Sequence, residues 1–208
     1  MDSPLDLPGT PRRHFLRAAA AAPLPALPAL AALAPSAPAR PAEGARWTGD
    51  WPARLKDAVE RAMPAAVAWA RPARRPFGAV LVDAATGAVL AGARNTTEHN
   101  GDMTAHAELT LLREAAAAGH RLPSCAVVST AEPCAMCAGA LVWTGVRAVA
   151  YGTSLAALVA YGVPQIDLPL TEITRRSPFT PPAVARGVRA DLTDPLYRPS
   201  AAPQDGAP

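Results

Sequence analysis

Two short stretches of this sequence hold the residues best suited to chemistry. His106 and Glu108 stand two apart in Thr104-Ala-His-Ala-Glu-Leu109, and Cys134 and Cys137 stand three apart in Glu132-Pro-Cys-Ala-Met-Cys137. Residues three apart share one face of a helix. Thiols in the first turn of a helix meet unpaired backbone donors and the positive helix end, which favours the thiolate. Two such thiolates and one imidazole make a donor set for zinc, and three protein ligands leave a tetrahedral position for water. That is the arrangement of a catalytic zinc rather than a structural one. Because two thiolates already neutralise the ion, the water profits from a base, and Glu108 is free of ligand duty. The chemistry such a set supports is hydrolysis by an activated water, from which Glu108 takes a proton and passes it to the substrate.

The elements that must position these residues follow from patterning. Asp50-Trp-Pro opens a helix that continues through Leu55, Val59 and Ala62, with a kink or break expected at Pro64. Residues 77–82 and 88–91 read as strands of a hairpin around the turn Asp83-Ala-Ala-Thr-Gly87. A polar loop at 96–103 precedes a helix over 104–118, ended by Gly119. A buried strand at 125–130, a short apolar helix at 134–143 and a strand at 146–151 follow. A helix at 154–160 and a last strand at 165–168 complete the alternation. The pattern implies α/β: a three-layer α/β/α sandwich whose mixed central sheet has about five strands.

Histidine, glutamate and Pro-Cys-x-x-Cys together form the signature of zinc-dependent base deaminases. On that signature the chain resembles the cytidine-deaminase-like superfamily. Within it, Thr104–Leu109, Glu132–Leu141, Pro76-Phe-Gly-Ala-Val80, Asn95 and Tyr151-Gly152 are most similar to the branch of guanine deaminases and tRNA adenosine deaminases. The resemblance spans roughly residues 50–170. It implies one zinc per chain held by His106, Cys134 and Cys137, with Glu108 as catalytic acid and base. It further implies substrate contacts from Asn95 and the backbone at Ala105, an aromatic wall from Trp143, and a homodimer. The expected substrate is a small nucleobase or nucleoside, a purine such as guanine first. A tRNA adenosine deaminase and a zinc protein without catalysis are the alternatives. Against guanine, the segment after Tyr151 lacks the acidic residue common in guanine deaminases; Asp167 and Glu172 come later. Cys125 reads as a small buried hydrophobe, and Glu132 as a brace for the metal loop or a partner for backbone. Arg175 and Arg176 read as a solvated arm or salt bridge in preference to a phosphate contact.

The chain has 208 residues, a formal charge of +3, three cysteines and 24 prolines. Three cysteines do not make a disulfide framework. Residues 1–39 hold 12 alanines and eight prolines and no acidic residue after Asp6. Arg12 and Arg13, then Phe15 and Leu16, an apolar stretch and Ala37-Pro-Ala39 resemble a twin-arginine-type signal peptide. That resemblance implies export to the periplasm or beyond, or a cytoplasmic protein if the leader does not function. Pro23, Pro25 and Pro28 break the apolar run and argue against a stable membrane anchor. Without the leader, 17 basic and 15 acidic residues remain, too even a balance to argue for nucleic acid. The expected organisation is a signal at 1–39, a linker at 40–49, a deaminase domain at 50–170, an arm at 171–198 and a disordered tail at 199–208.

Overall fold

The computed structural model describes residues 46–198. The proposed signal at 1–39, most of the linker and the tail from 199 lie outside the described residues.

Six strands form one sheet: β1 (Trp47–Thr48), β2 (Gly78–Asp83), β3 (Val89–Arg94), β4 (Cys125–Ala131), β5 (Ala148–Thr153) and β6 (Ala183–Ala185). Their order is β1-β6-β5-β4-β2-β3. β4, β5 and β6 run parallel, while β2 lies antiparallel to both β3 and β4, and β1 antiparallel to β6. The sheet is therefore mixed, as the alternation of elements predicts. Helices lie on both faces: α1 (Ala53–Ala70), α2 (Thr97–Asn100), α3 (Ala107–Ala117), α4 (Ala135–Trp143), α5 (Leu155–Ala160), α6 (Leu170–Arg176) and α7 (Ala190–Tyr197).

The period-two alternation of the strands divides the core in two. Val80, Val82, Ala126, Val128, Ala148 and Ala150 turn towards α1, whose Leu55, Val59, Ala62, Met63 and Ala66 meet them. Ala79, Leu81, Val127, Val149 and Tyr151 turn the other way, onto Ala107, Leu111 and Leu112 of α3 and Ala138 and Leu141 of α4. β4 is buried along its whole length, whereas β3 is a half-exposed edge. Among the described residues no helix is long and apolar enough to cross a membrane.

Four sequence expectations need correction. No strand forms at 165–168; the segment between Pro164 and Pro169 is irregular, since a proline at each end leaves too short a run to pair. The sheet gains instead β6, from the stretch read as an arm, and β1, from the end of the linker. Both are too short to show an alternation in the sequence. Asp50 does not cap α1, which starts behind Pro52; its carboxylate accepts from the Arg147 guanidinium at 2.9 Å. Pro64 neither breaks nor ends α1, an 18-residue helix that runs past it. The packing of the buried stripe outweighs the hydrogen bond that Pro64 cannot make to the Glu60 carbonyl. Pro64 is exposed, so Pro64→Ala restores that bond without disturbing the core. It is expected to stabilise the fold by about 1–2 kcal/mol, read as a rise of several degrees in melting temperature.

Candidate active site

β4 delivers the site. Its carboxyl end runs through Ala131 into Glu132-Pro133-Cys134, and Cys134 is the residue that caps α4. Cys137 follows in the first turn of α4, fully buried. His106 holds the equivalent place at the start of α3, with extended backbone (φ −68°, ψ 156°). Two helix starts thus converge outside the carboxyl end of a parallel strand, where ligands gather in open α/β sheets.

The His106 Nδ1 atom lies 3.5 Å from Cys134 Sγ and 3.6 Å from Cys137 Sγ. All three donor atoms lie within 4.8 Å of one another. Zinc bonds of about 2.3 Å to sulfur and about 2.05 Å to nitrogen, set at the tetrahedral angle, place sulfur and nitrogen about 3.6 Å apart. The donor set therefore fits zinc in type and in spacing, with Nδ1 as the ligating nitrogen. Among the described residues the group has three members, which leaves the fourth position open. Between the two thiols, hydrogen bonding from Cys137 and then from His106 outweighs burial and brings the Cys134 thiol down to about 4. Cys137, which gives that bond and is buried, is pushed up. The hydrogen bond to Cys134 raises His106.

Glu108 sits in the first turn of α3, only 5 % exposed, beside the three ligands and outside their group. Its Oε1 accepts from the Ser129 hydroxyl at 2.7 Å. Burial pushes the carboxyl up, and the Ser129 hydrogen bond opposes the shift only in part. Such a carboxyl can hold a proton between two transfers. Ser129 was not singled out in the sequence. It lies on β4 in register with Ala79 and Tyr151, two residues from Val127 and on the same face, towards α3. A hydroxyl in a wholly buried strand was the signal, because a buried polar group needs a partner.

A cleft of about 780 Å³ opens over these residues. Asn95 lines it and also serves its loop: Oδ1 accepts from the Thr97 backbone N–H at 3.1 Å and the Thr97 hydroxyl at 2.8 Å. Its amide N–H groups are what it can offer a substrate. Phe77, the loop at 162–166, Leu196 and Tyr197 supply further walls. Tyr197 is buried, with its ring centroid 4.9 Å from that of Phe77, and donates to the Thr130 hydroxyl at 2.7 Å. Burial pushes its phenol up, so it remains a donor. Arg74 and Arg75 stand at the mouth, each paired with Glu98.

Two residues expected to contact substrate lie outside the lining of the cleft. Trp143 is 77 % exposed and stacks at 4.7 Å on Phe179. It closes the nine-residue α4 at the end away from Cys134, a distance of about 13 Å along the axis, and does not line the cleft. Ala105 is buried and does not line it either; its N–H donates to Asp102 O and its carbonyl accepts from Thr96 N–H, both at 3.0 Å. These two bonds close the loop before His106. The aromatic walls come instead from Phe77 and Tyr197, which sequence spacing did not bring together. Neither Asp167 nor Glu172 reaches the cleft. Glu172 is held down to about 2 by Arg175 and then Arg176, which are engaged with it as salt bridges. Cys125 is buried, and its thiol donates to the Arg121 carbonyl.

Residues 54–153 match the model of the cytidine and deoxycytidylate deaminase zinc-binding region. The fold is cytidine-deaminase-like. That match spans 100 of the 208 residues and contains all three ligands and Glu108, and the His/Cys/Cys group has the donors of a single zinc site of that region. The chain is 41% identical over 117 residues to a tRNA(Ile)-lysidine synthase of Deinococcus radiodurans, covering 53% of this chain and 19% of that protein. It is also 41% identical over 78 residues to the guanine deaminase of Bacillus subtilis, covering 36% of this chain and 49% of that one. The chain thus spans half or less of the length of these two relatives. Among solved structures, a tRNA:A34 deaminase superposes with a TM-score of 0.54 at 29% identity, over 65% of this chain and 98% of the other. Both helix starts that carry the metal ligands lie within the matched stretch, on either side of β4 in sequence.

Proposed function

We propose that this protein is a zinc-dependent hydrolytic deaminase of a small purine base or nucleoside, with guanine as the first candidate. The observation that carries this reading is Glu108: a buried carboxyl beside a three-ligand zinc site, held by Ser129 and open to a cleft. Zinc bound there supplies Lewis acidity and a place for the attacking water. Glu108 takes one proton from the attacking water and gives it to a ring nitrogen of the substrate, then takes the second from the hydroxyl now on the ring carbon and gives it to the departing amine. The balance is substrate amine plus water to carbonyl plus ammonia. Asn95 orients the base through its amide N–H groups, and Phe77 and Tyr197 exclude water from its flank. A fourth protein ligand would favour a non-catalytic zinc protein, and the described group has three.

A small substrate is supported by the apolar and aromatic walls that Phe77, Leu196 and Tyr197 give the cleft, and by the even charge balance of the chain beyond the leader. The likeness to a tRNA:A34 deaminase favours the second reading, adenosine in tRNA. Competition separates them: free guanine, adenosine, cytosine and cytidine are offered alongside tRNA, and the deaminated product of each is followed by mass. The small-substrate reading expects turnover of a free purine and an unchanged tRNA; inosine in tRNA with every free compound untouched rejects it. Export through the twin-arginine pathway, resting on Arg12 and Arg13, and a homodimer, resting on the resemblance, are parts of this proposal.

A further inference from the structure

Glu132 is buried, and the deaminase chemistry above gives it no task. It occupies the one position between the end of β4 and Pro133-Cys134, and its backbone N–H continues the sheet by donating to Thr153 O at 2.8 Å. Its two carboxylate oxygens are each engaged by a backbone N–H. Oε2 accepts from Leu155 at 3.0 Å, and Oε1 accepts from Leu170 at 3.1 Å. Leu155 and Leu170 are the first residues of α5 and α6. The N–H groups of a first helical turn have no partner inside their helix, so one carboxylate satisfies an orphan donor of each.

The chain between those two helices is what gives the inference its reach. Residues 162–166 line the same cleft as His106, Glu108 and Asn95. The backbone hydrogen bonds donated by 162–169 stay local, from Gly162 to Val159, Val163 to Leu158 and Leu168 to Ile166. Val163 packs against the small cluster of Ala131, Leu158 and Tyr197, while Ile166 is 66 % exposed. Among the described residues, the hydrogen bonds that tie the segment 155–170, which contains this wall, to the end of β4 are thus the two at Glu132, one at each end of that segment. We propose that Glu132 is the positioning residue of the substrate-facing wall at 162–166, setting its distance from the turn that bears Cys134.

Glu132→Gln is nearly isosteric and replaces one acceptor oxygen by an N–H2 group that faces a backbone N–H. Glu132→Asp keeps both oxygens on a stem too short to reach both amides. The test uses the zinc-loaded full chain of each variant, with hydrogen exchange by mass spectrometry, zinc content and steady-state kinetics on the purine that the wild type deaminates. In Glu132→Gln, exchange over 154–170 is expected to quicken about tenfold or more while that over 53–70 stays unchanged. Zinc is retained, KM rises about tenfold, and kcat stays within about threefold. Glu132→Asp falls between the variant and the wild type. Unchanged exchange over 154–170, an equal rise over 53–70, or loss of zinc overturns the proposal. So does a fall in kcat at constant KM, which would make Glu132 a catalytic residue. The kinetic part rests on the deaminase reading, but the exchange part does not: a wild type that releases no ammonia sinks that reading and leaves the exchange result to decide this one.

Discussion

Glu108→Gln is expected to lower ammonia release by roughly 10³-fold while zinc content stays at the wild-type level. The carboxyl is asked to accept the two protons of the attacking water in turn and to deliver one to the ring nitrogen and one to the departing amine, and an amide can do neither. The substitution is otherwise mild. Gln keeps an oxygen for the Ser129 hydroxyl, which donates to Oε1 at 2.7 Å, and it fills the same volume in a site that is 5 % exposed. Burial disfavours the charged form of Glu108, so removing that charge is expected to leave the melting temperature unchanged or higher. Loss of turnover with gain of stability is the signature of a residue kept for chemistry at a cost to the fold. Full activity in Glu108→Gln, with product confirmed by mass, would remove the assigned acid–base group.

Cys137→Ser is expected to abolish both zinc binding and turnover, and to lower the melting temperature by about 10 °C. Cys137 is fully buried, 3.6 Å from His106 Nδ1. A serine oxygen is nearer its own β-carbon than a sulfur would be, and it remains protonated at neutral pH, so it cannot replace the thiolate. Because an ion held by all three ligands binds only the folded chain, losing it removes the stabilisation that binding contributes. Cys125→Ser is the control. Cys125 is also buried, but it donates to the Arg121 carbonyl and lies outside the donor group, so zinc and turnover are expected to persist. Equal zinc in Cys137→Ser and wild type, measured by atomic absorption, would place the ion elsewhere.

The site was legible from sequence because its residues are close in chain position to the helix starts that orient them. His106 and Glu108 belong to one helical turn, as do Cys134 and Cys137, and only β4 is needed to bring the two turns together. The walls of the cleft were not legible for the opposite reason. Tyr197 reaches Thr130 across 67 residues and meets Phe77 only because α7 folds back over the sheet. The strand that leads into α7, β6, is three residues long and follows Pro181 and Pro182, so it shows no alternation. Trp143 was expected as a wall from the resemblance alone, and it stands at the far end of the nine-residue α4, away from the metal ligands. Ser129 and Glu132 were visible as polar residues in or beside a buried strand. What they bond to depends on register and on helix starts far along the chain.

His106, Cys134, Cys137 and Glu108 make the site proposed here for zinc-dependent hydrolytic deamination, and ammonia release by the zinc-loaded full chain decides whether it performs that reaction. Guanine, adenosine, cytosine and cytidine are each incubated with the protein, with chelated protein, and with chelated protein resupplied with zinc. Ammonia is expected from at least one purine in equal amount to its carbonyl product, lost on chelation and restored by zinc. No ammonia from any of the four compounds, with zinc bound at one per chain, would contradict the assignment.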